Sequence, residues 1–151
     1  MRVCDVMSNR VRTIEATESL EAAAHTMQRY RIRHLVVLDG GEVAGVLSKS
    51  DLGNLDRAAL AGTRVADRMA DEVVTIDEQA SLRAAANLLR GRTIGCLPVL
   101  GADDRCVGII TTSDLLEVLG RGAAHPEATT RGRTSLARRA PRRPRPTNDA
   151  R

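Results

Sequence analysis

Two copies of one short motif combine a glycine, a hydroxyl and a carboxylate at fixed spacing. The first copy is Gly45-Val46-Leu47-Ser48-Lys49-Ser50-Asp51, and the second is Gly108-Ile109-Ile110-Thr111-Thr112-Ser113-Asp114. The glycine permits close approach of another backbone, the next two residues indicate a strand, and the hydroxyl lies at a predicted helix start. A carboxylate can accept two hydrogen bonds from the vicinal hydroxyls of a ribose, and a helix N-terminus attracts phosphate. The motif therefore predicts a nucleotide site in each copy.

The same spacing also has a purely structural interpretation. A Ser or Thr followed three residues later by an acidic residue is typical of a helix N-cap with its capping box. Capping and binding are compatible with each other, so both interpretations stay open.

A small cationic cluster precedes a β-forming segment in the first half of the chain. It consists of Arg31, Arg33 and His34. Guanidinium groups suit phosphate, although arginines at the entrance of a strand are also common as solvated surface residues.

No arrangement typical of catalysis or metal binding accompanies these residues. The sequence contains no nucleophile-base pairing, no Walker loop and no metalloprotease helix, so we predict no catalytic residue and no enzyme activity. A metal site built from His34, Cys96 and Cys4 is disfavoured, because no local ligand pair has the spacing of a zinc site. Cys4, Cys96 and Cys106 include no CxxC pair, and we expect reduced, packed thiols.

An internal repeat organises the elements that position these residues. From residue 3 to residue 38, the sequence matches itself at an offset of 62 in 15 of 36 positions. After a one-residue insertion near Asp103, an offset of 63 aligns the two copies of the motif. Unrelated segments would not keep this register, so the sequence predicts a tandem duplication.

Each repeat predicts the same order of elements. In the first repeat, residues 11–14 are β-rich, and residues 19–29 place their apolar side chains on one helical face. Residues 34–47 predict a hairpin with its turn at residues 39–41, and residues 48–51 begin another helix. The order β-α-β-β-α predicts an α+β fold with small mixed sheets and helices on one face. Because one unit of about 60 residues is marginal alone, we expect the two units to pack together.

Charge and composition separate a globular part from a tail. Of the 151 residues, 1–119 contain 14 Lys/Arg and 17 Asp/Glu, whereas 120–151 contain nine Arg, two acidic residues and four of the five prolines. We therefore divide the chain into a first repeat (1–58), a second repeat (59–119) and a disordered Arg/Pro-rich tail (120–151). With one aromatic residue, the composition favours thin layers of sheet and helix over a deep aromatic-lined catalytic cavity.

Membrane and secreted classes are disfavoured by the apolar pattern. No segment approaches the roughly 20 apolar residues that cross a bilayer, and residues 1–10 lack the apolar stretch of a secretory signal. The sequence predicts a cytoplasmic protein with no membrane partner.

The duplicated unit resembles the tandem CBS domain family, also called the Bateman module, over about residues 1–118. The resemblance rests on the two motif copies, on a Thr-Ile start in each repeat, and on second strands that read His34-Leu35-Val36-Val37 and Cys96-Leu97-Pro98-Val99. It implies two units related by a pseudo-twofold axis in a flat module. It further implies clefts that bind adenosine compounds, most often AMP, ADP or ATP, and a tendency to form homodimers.

The resemblance also implies roles for individual residues. Asp51 and Asp114 would hold ribose, with Ser48 and Thr111 at the ribose-phosphate edge. The remaining implied ligand-binding residues are four that would frame adenine through backbone groups and two near the phosphates: Thr13, Ile14, Thr75, Ile76, Arg33 and His34.

We therefore predict a free-standing regulatory module for energy sensing, with AMP or ATP as a regulatory ligand and no cofactor. Ligand binding would change the geometry of the two repeats and signal to an effector protein that the sequence does not identify. The alternative is a dimeric scaffold whose Arg-rich tail binds nucleic acid or an acidic partner.

The two clefts are expected to differ in charge. At the repeat offset, Arg33-His34 corresponds to Gly95-Cys96. We expect the charged cleft to favour di- or triphosphates, and the other to favour AMP or a nucleoside-like ligand such as S-adenosylmethionine. The sequence does not show which aspartate lies with Arg33.

Overall fold

Two three-stranded mixed sheets, each with its own helices, make up the part of the chain that the computed structural model describes, residues 1–121. The predicted tail lies outside the described residues from position 122 onward. Among residues 1–121, none of the helices combines the length and the apolar character needed to cross a membrane.

The first repeat contains three strands and one long helix. Its strands are β1 (Thr13–Glu15), β2 (His34–Asp39) and β3 (Glu42–Ser48), and its helix is α1 (Leu20–Tyr30). A short helix, α2 (Arg57–Gly62), spans the boundary between the repeats. Strand β2 lies in the centre of the sheet, parallel to β1 and antiparallel to β3.

The second repeat has the same sheet topology. Its strands are β4 (Ile76–Asp77), β5 (Cys96–Leu100) and β6 (Cys106–Thr111), and its helices are α3 (Leu82–Arg92) and α4 (Thr112–Gly120). Strand β5 is parallel to β4 and antiparallel to β6. The predicted α+β fold, a tandem pair of small mixed sheets, is confirmed.

The long helix of each repeat follows from a serine cap and an apolar face. The hydroxyl of Ser19 accepts a hydrogen bond from the Ala22 N–H, and that of Ser81 accepts one from the Ala84 N–H. Leu20, Ala23 and Met27 of α1 are buried in the first hydrophobic core. The helix therefore packs on its sheet through the residues that the periodicity indicates.

The hairpin turn of the first repeat depends on two glycines. Gly40 and Gly41 have φ angles of 60° and 88°, in the region that L-residues avoid. Two successive positive φ angles match the twist of the flanking strands, so β2 and β3 pair through a two-residue turn.

The segment after the motif differs between the repeats. Thr111 begins the regular helix α4, as predicted, whereas Ser48 is followed only by a short 3-10 helix, Lys49–Leu52. That turn ends at Gly53, which has a φ of 58°, and α2 begins only after the capping residue Asp56. The glycine allows the chain to leave the 3-10 helix here, because its φ of 58° with a ψ of −150° is a conformation that L-residues avoid.

The segment preceding each first strand packs on the other repeat. Val3 is fully buried in the second core, and its N–H donates to the Ala80 carbonyl. Val65 is fully buried in the first core, and its N–H donates to the Glu18 carbonyl. We call residues 1–8 and 65–70 the crossing segments. Each core is therefore completed by the other half of the chain.

Candidate functional site

The carboxylates of the two motifs cap the turns that follow them. Oδ2 of Asp51 accepts hydrogen bonds from the Ser48 N–H (2.7 Å) and hydroxyl (2.9 Å). Oδ2 of Asp114 accepts the equivalent bonds from Thr111 at 2.7 and 2.8 Å. Within residues 1–121, Oδ1 of each aspartate has no hydrogen-bond partner. One oxygen thus serves the capping box, and the other is available to a ligand.

The first cavity, which we call the Asp51 cleft, has a volume of about 430 Å³ and is lined by both repeats. Ser48 and Asp51 come from the motif of the first repeat, and the segments before β4 and β5 form the opposite wall. The charged residues that line this cleft are two cations and two acids: Arg33, Lys49, Asp51 and Glu72. Glu72 also pairs with Arg92 at 2.7 Å on the surface.

The second cavity, which we call the Asp114 cleft, has a volume of about 520 Å³ and is built in the same way. Thr111 and Asp114 come from the second motif, and the segments before β1 and β2 form the opposite wall. Five charged residues line it, four of them arginines: Arg10, Arg12, Arg31, Arg33 and Asp114. This cleft is therefore strongly cationic.

Arg33 and His34 line both clefts. A Cβ at Gly95 would lie 2.8 Å from His34 Nε2, so the imidazole packs directly on a backbone that carries no side chain. Burial lowers the pKa of His34 below its usual 6.5, and the neighbouring Arg33 lowers it further, although Asp51 partly offsets both effects. Near neutral pH the imidazole is uncharged, and the cationic group shared by the clefts is Arg33.

The structure does not bring the four adenine-framing residues to either aspartate. Thr13 and Thr75 line a third cavity of about 1070 Å³, which contains neither motif carboxylate. Ile14 and Ile76 belong to the two hydrophobic cores. Their contact with an adenine stays a prediction that would depend on backbone groups alone.

Sequence reasoning missed the residues just before β1 and β4. Arg10 and Arg12 line the Asp114 cleft, and at an offset of 62 their equivalents Glu72 and Val74 line the Asp51 cleft. The repeat alignment was the available signal, because it pairs each arginine with a residue of different charge.

The motif glycines accommodate the crossing segments. A Cβ at Gly45 would collide with the Ala70 carbonyl oxygen, and one at Gly108 would lie 2.5 Å from Met7 Sδ. Ala70 bridges to Val46 beside the first glycine, and Ser8 bridges to Ile109 beside the second. The close approach that these glycines permit is therefore to the chain itself, which forms one edge of each cleft.

Burial shifts the pKa of two of the three cysteine thiols, those of Cys96 and Cys106. Burial raises the pKa of the Cys96 thiol to about 12, which keeps it protonated and weakly nucleophilic. Burial also raises the pKa of Cys106. Within residues 1–121, no three His, Cys, Asp or Glu side chains are grouped to hold a metal ion.

Known proteins similar to this chain include enzymes and ligand complexes. A homoserine O-acetyltransferase of Methanocorpusculum labreanum is 35% identical over 124 residues, which are 79% of this chain and 25% of that protein. This chain thus spans about a quarter of the length of that relative.

Two solved structures share both fold and sequence similarity with the chain. The CBS domain pair of protein MJ0100, in complex with 5′-methylthioadenosine and S-adenosyl-L-methionine, is 25% identical with a TM-score of 0.71. The similarity covers 80% of this chain and 96% of that one. CBSX2, in complex with AMP, is 26% identical with a TM-score of 0.68, over 78% of this chain and 95% of its own.

The family model of the CBS domain matches the chain twice, at residues 3–54 and 65–121. Each match contains one of the two sheets and ends a few residues after one of the two motifs. Together the matches cover well over half of the chain. The chain therefore belongs to the CBS domain family, as a tandem pair.

Proposed function

We propose that this chain is a regulatory, non-catalytic module that binds an adenosine compound such as AMP or ATP in the clefts between its repeats. The carrying observation is that each cleft combines the hydroxyl-carboxylate motif of one repeat with the strand entrances of the other. The ligands of the two similar structures, MJ0100 and CBSX2, support an adenosine compound as the ligand class.

The ribose would bind to the available oxygen of each aspartate. Oδ1 of Asp51 and of Asp114 can accept hydrogen bonds from the 2′- and 3′-hydroxyls while Oδ2 keeps its capping bonds. The hydroxyls of Ser48 and Thr111 lie beside the carboxylates, where they would meet the ribose-phosphate edge. Binding would therefore leave the local fold of each motif intact.

Regulation would follow from where the clefts lie. Because residues of both repeats line each cleft, a ligand contacts both halves of the module and favours the relative arrangement that binds it better. The bound state would then be recognised by an effector protein, in keeping with an energy-sensing role. A cytoplasmic location and a homodimeric assembly belong to the same proposal.

The test is binding to aspartate variants that keep the fold. In Asp51→Asn and Asp114→Asn, one amide oxygen can preserve the capping box, while the amide nitrogen replaces the oxygen that would accept from ribose. We expect each variant to lose about tenfold or more in AMP affinity at one cleft, since hydrogen bonds to a charged group contribute about 1.5–3 kcal/mol. Calorimetric titration with AMP measures this loss.

The exposed Asp39, outside both clefts, supplies the control variant Asp39→Asn. At an AMP concentration of about 100 times the dissociation constant, the parent and the control should gain about 2.7 kcal/mol in unfolding free energy for each cleft that AMP occupies. The double variant Asp51→Asn/Asp114→Asn should gain about half as much or less. A double variant that binds AMP as tightly as the parent would show that these aspartates do not hold the ribose.

A further inference from the structure

The two clefts occupy equivalent positions in the two repeats, but their charges differ. Four of the five charged residues lining the Asp114 cleft are arginines, whereas two cations and two acids line the Asp51 cleft. At the matched positions, Arg10 corresponds to Glu72, Arg12 to Val74 and Arg31 to Thr93. Three arginines of the Asp114 cleft therefore have no cationic counterpart in the Asp51 cleft, whereas Lys49 of the Asp51 cleft corresponds to the uncharged Thr112 in the Asp114 cleft.

The arginines of the Asp114 cleft are available to a ligand. All four are exposed, and none of their guanidinium groups forms an ion pair with a carboxylate of residues 1–121. Asp114, the one acid in this cleft, is turned onto the start of its own helix. The four arginines lie around one cavity and are not scattered over the surface. Each planar guanidinium group can donate two hydrogen bonds to phosphate oxygens.

One of these arginines is held in position by the single aromatic residue of the chain. The guanidinium carbon of Arg12 lies 3.7 Å from the centroid of the Tyr30 ring. Contact of a guanidinium group with a ring face leaves its in-plane N–H donors free to form hydrogen bonds. Because the ring already restricts the Arg12 side chain, less side-chain conformational entropy would be lost when a phosphate ligand binds.

Arg33 connects the two clefts. It lines both cavities, and its counterpart in the second repeat is Gly95, so the junction contains one arginine rather than a symmetric pair. A single guanidinium group cannot pair with phosphate in both clefts at once. When Arg33 turns to the Asp114 cleft, the Asp51 cleft retains Lys49 against Asp51 and Glu72.

We propose that the Asp114 cleft binds a nucleoside polyphosphate and that Arg33 turns towards this ligand. Binding of a second phosphorylated ligand in the Asp51 cleft is then weakened. The Asp51 cleft therefore favours adenosine compounds without phosphate. This inference rests on the proposed function and assigns a ligand class to each of its sites. The module would then respond to two ligands of different charge. Binding of a phosphorylated ligand in one cleft would lower the affinity of the other cleft for a second phosphorylated ligand.

The first experiment is calorimetric titration of the full chain with ATP. We expect one tight site per chain. Arg10→Ala and Arg31→Ala should each lower ATP affinity at that site about tenfold, since each removes a charge-assisted contact from the Asp114 cleft alone. The control, Arg83→Ala, removes an exposed arginine of α3 that lines neither cleft and should bind ATP as the parent does.

The second experiment measures coupling. AMP and adenosine are titrated into the parent saturated with ATP, and separately into Asp114→Asn without ATP, so that both titrations report the Asp51 cleft. We expect ATP to weaken AMP binding severalfold and to leave adenosine binding unchanged. Replacing Arg33 by alanine should abolish this difference between AMP and adenosine.

The possible results distinguish a wrong assignment of ligands to the clefts from a wrong proposed function. Two results would overturn the ligand assignment: equal ATP affinity at two sites, or an Arg10→Ala variant that binds ATP as the Arg83→Ala control does. If AMP still binds, the proposed function stands. AMP and adenosine affinities that respond equally to ATP overturn the coupling. A parent chain that binds no adenosine compound overturns both.

Discussion

Single residues in this molecule serve the fold and the clefts at the same time. The aspartates cap their own turns through Oδ2, and each also lines a cleft. Arg31 ends helix α1 with a φ of 52°, a left-handed conformation that costs a non-glycine residue about 1 kcal/mol, and it also lines the Asp114 cleft. The matched residue Thr93 ends α3 in the same conformation, with a φ of 54°, and lines the Asp51 cleft.

His34 gives the fold a pH dependence that can be measured. Its pKa is lowered in the folded state by burial and by Arg33, against the opposing effect of Asp51, so the unfolded chain binds a proton more readily. The free energy of unfolding should therefore fall as the pH decreases from neutral through about 6.5, and this contribution should level off below the folded pKa. Chemical denaturation between pH 7.5 and pH 5 measures it.

The matched control is the exposed His25 on helix α1. His34→Gln should flatten the pH dependence, whereas His25→Gln should follow the parent. Curves for the parent and His34→Gln that run parallel over this range would contradict the assignment to His34.

At the scale of elements, the crossing segments hold the repeats together. Residues 1–8 pair with β6 beside Gly108, and residues 65–70 pair with β3 beside Gly45. The two contacts are equivalent in position but not in rigidity, since a backbone carbonyl faces Gly45 and a flexible Met7 thioether lies nearest to Gly108.

Alanine substitution of these glycines should separate the two contacts. We expect Gly45→Ala to lower the free energy of unfolding by about 1–3 kcal/mol, because the added methyl group meets backbone that cannot move aside. Gly108→Ala should cost less. Gly91→Ala, in helix α3 with open space around the site, should be neutral or stabilise by up to about 1 kcal/mol. Urea denaturation provides all three values, and a Gly45→Ala variant no less stable than Gly91→Ala would refute the close-packing argument.

The regular elements could be predicted because their signals are local. Ser19 with the apolar face of α1, and Gly40-Gly41 between two β-rich runs, each specify an element within a few residues of sequence. The short turn after Ser48 was missed, although Gly53 signals it. The repeat alignment pairs Arg10 with Glu72, but which cleft Arg10 lines depends on a crossing segment that contacts residues about a hundred positions away.

At the scale of the whole molecule, helix α4 leaves apolar side chains uncovered within the described residues. The exposed fractions of Leu116 and Leu119 are 67% and 78%. Large aliphatic side chains exposed on one helix are typical of an interaction surface. A second copy of the chain, related by a twofold axis, would bury both leucines against their equivalents.

We expect the chain to be a homodimer at micromolar concentration. The double variant Leu116→Glu/Leu119→Glu should raise the dimer dissociation constant more than tenfold, since it places four charges in a self-complementary apolar contact. Light scattering coupled to size-exclusion chromatography measures the mass. Gln28→Glu, which adds a charge on the exposed side of α1, should leave the mass unchanged. A parent chain that elutes as a 16.3 kDa species at all concentrations would exclude the dimer.

The crossing segments make this one chain equivalent to two half-size proteins that have swapped their leading residues and then been joined. A single repeat on its own would lack the valine that completes its core, and two separate repeats could supply it to each other only by mutual exchange. Joining them makes the exchange intramolecular, with an effective concentration on the order of millimolar. The two halves no longer need to be identical to find each other, and this freedom allows arginines to accumulate around one aspartate while glutamate and valine occupy the matching positions beside the other.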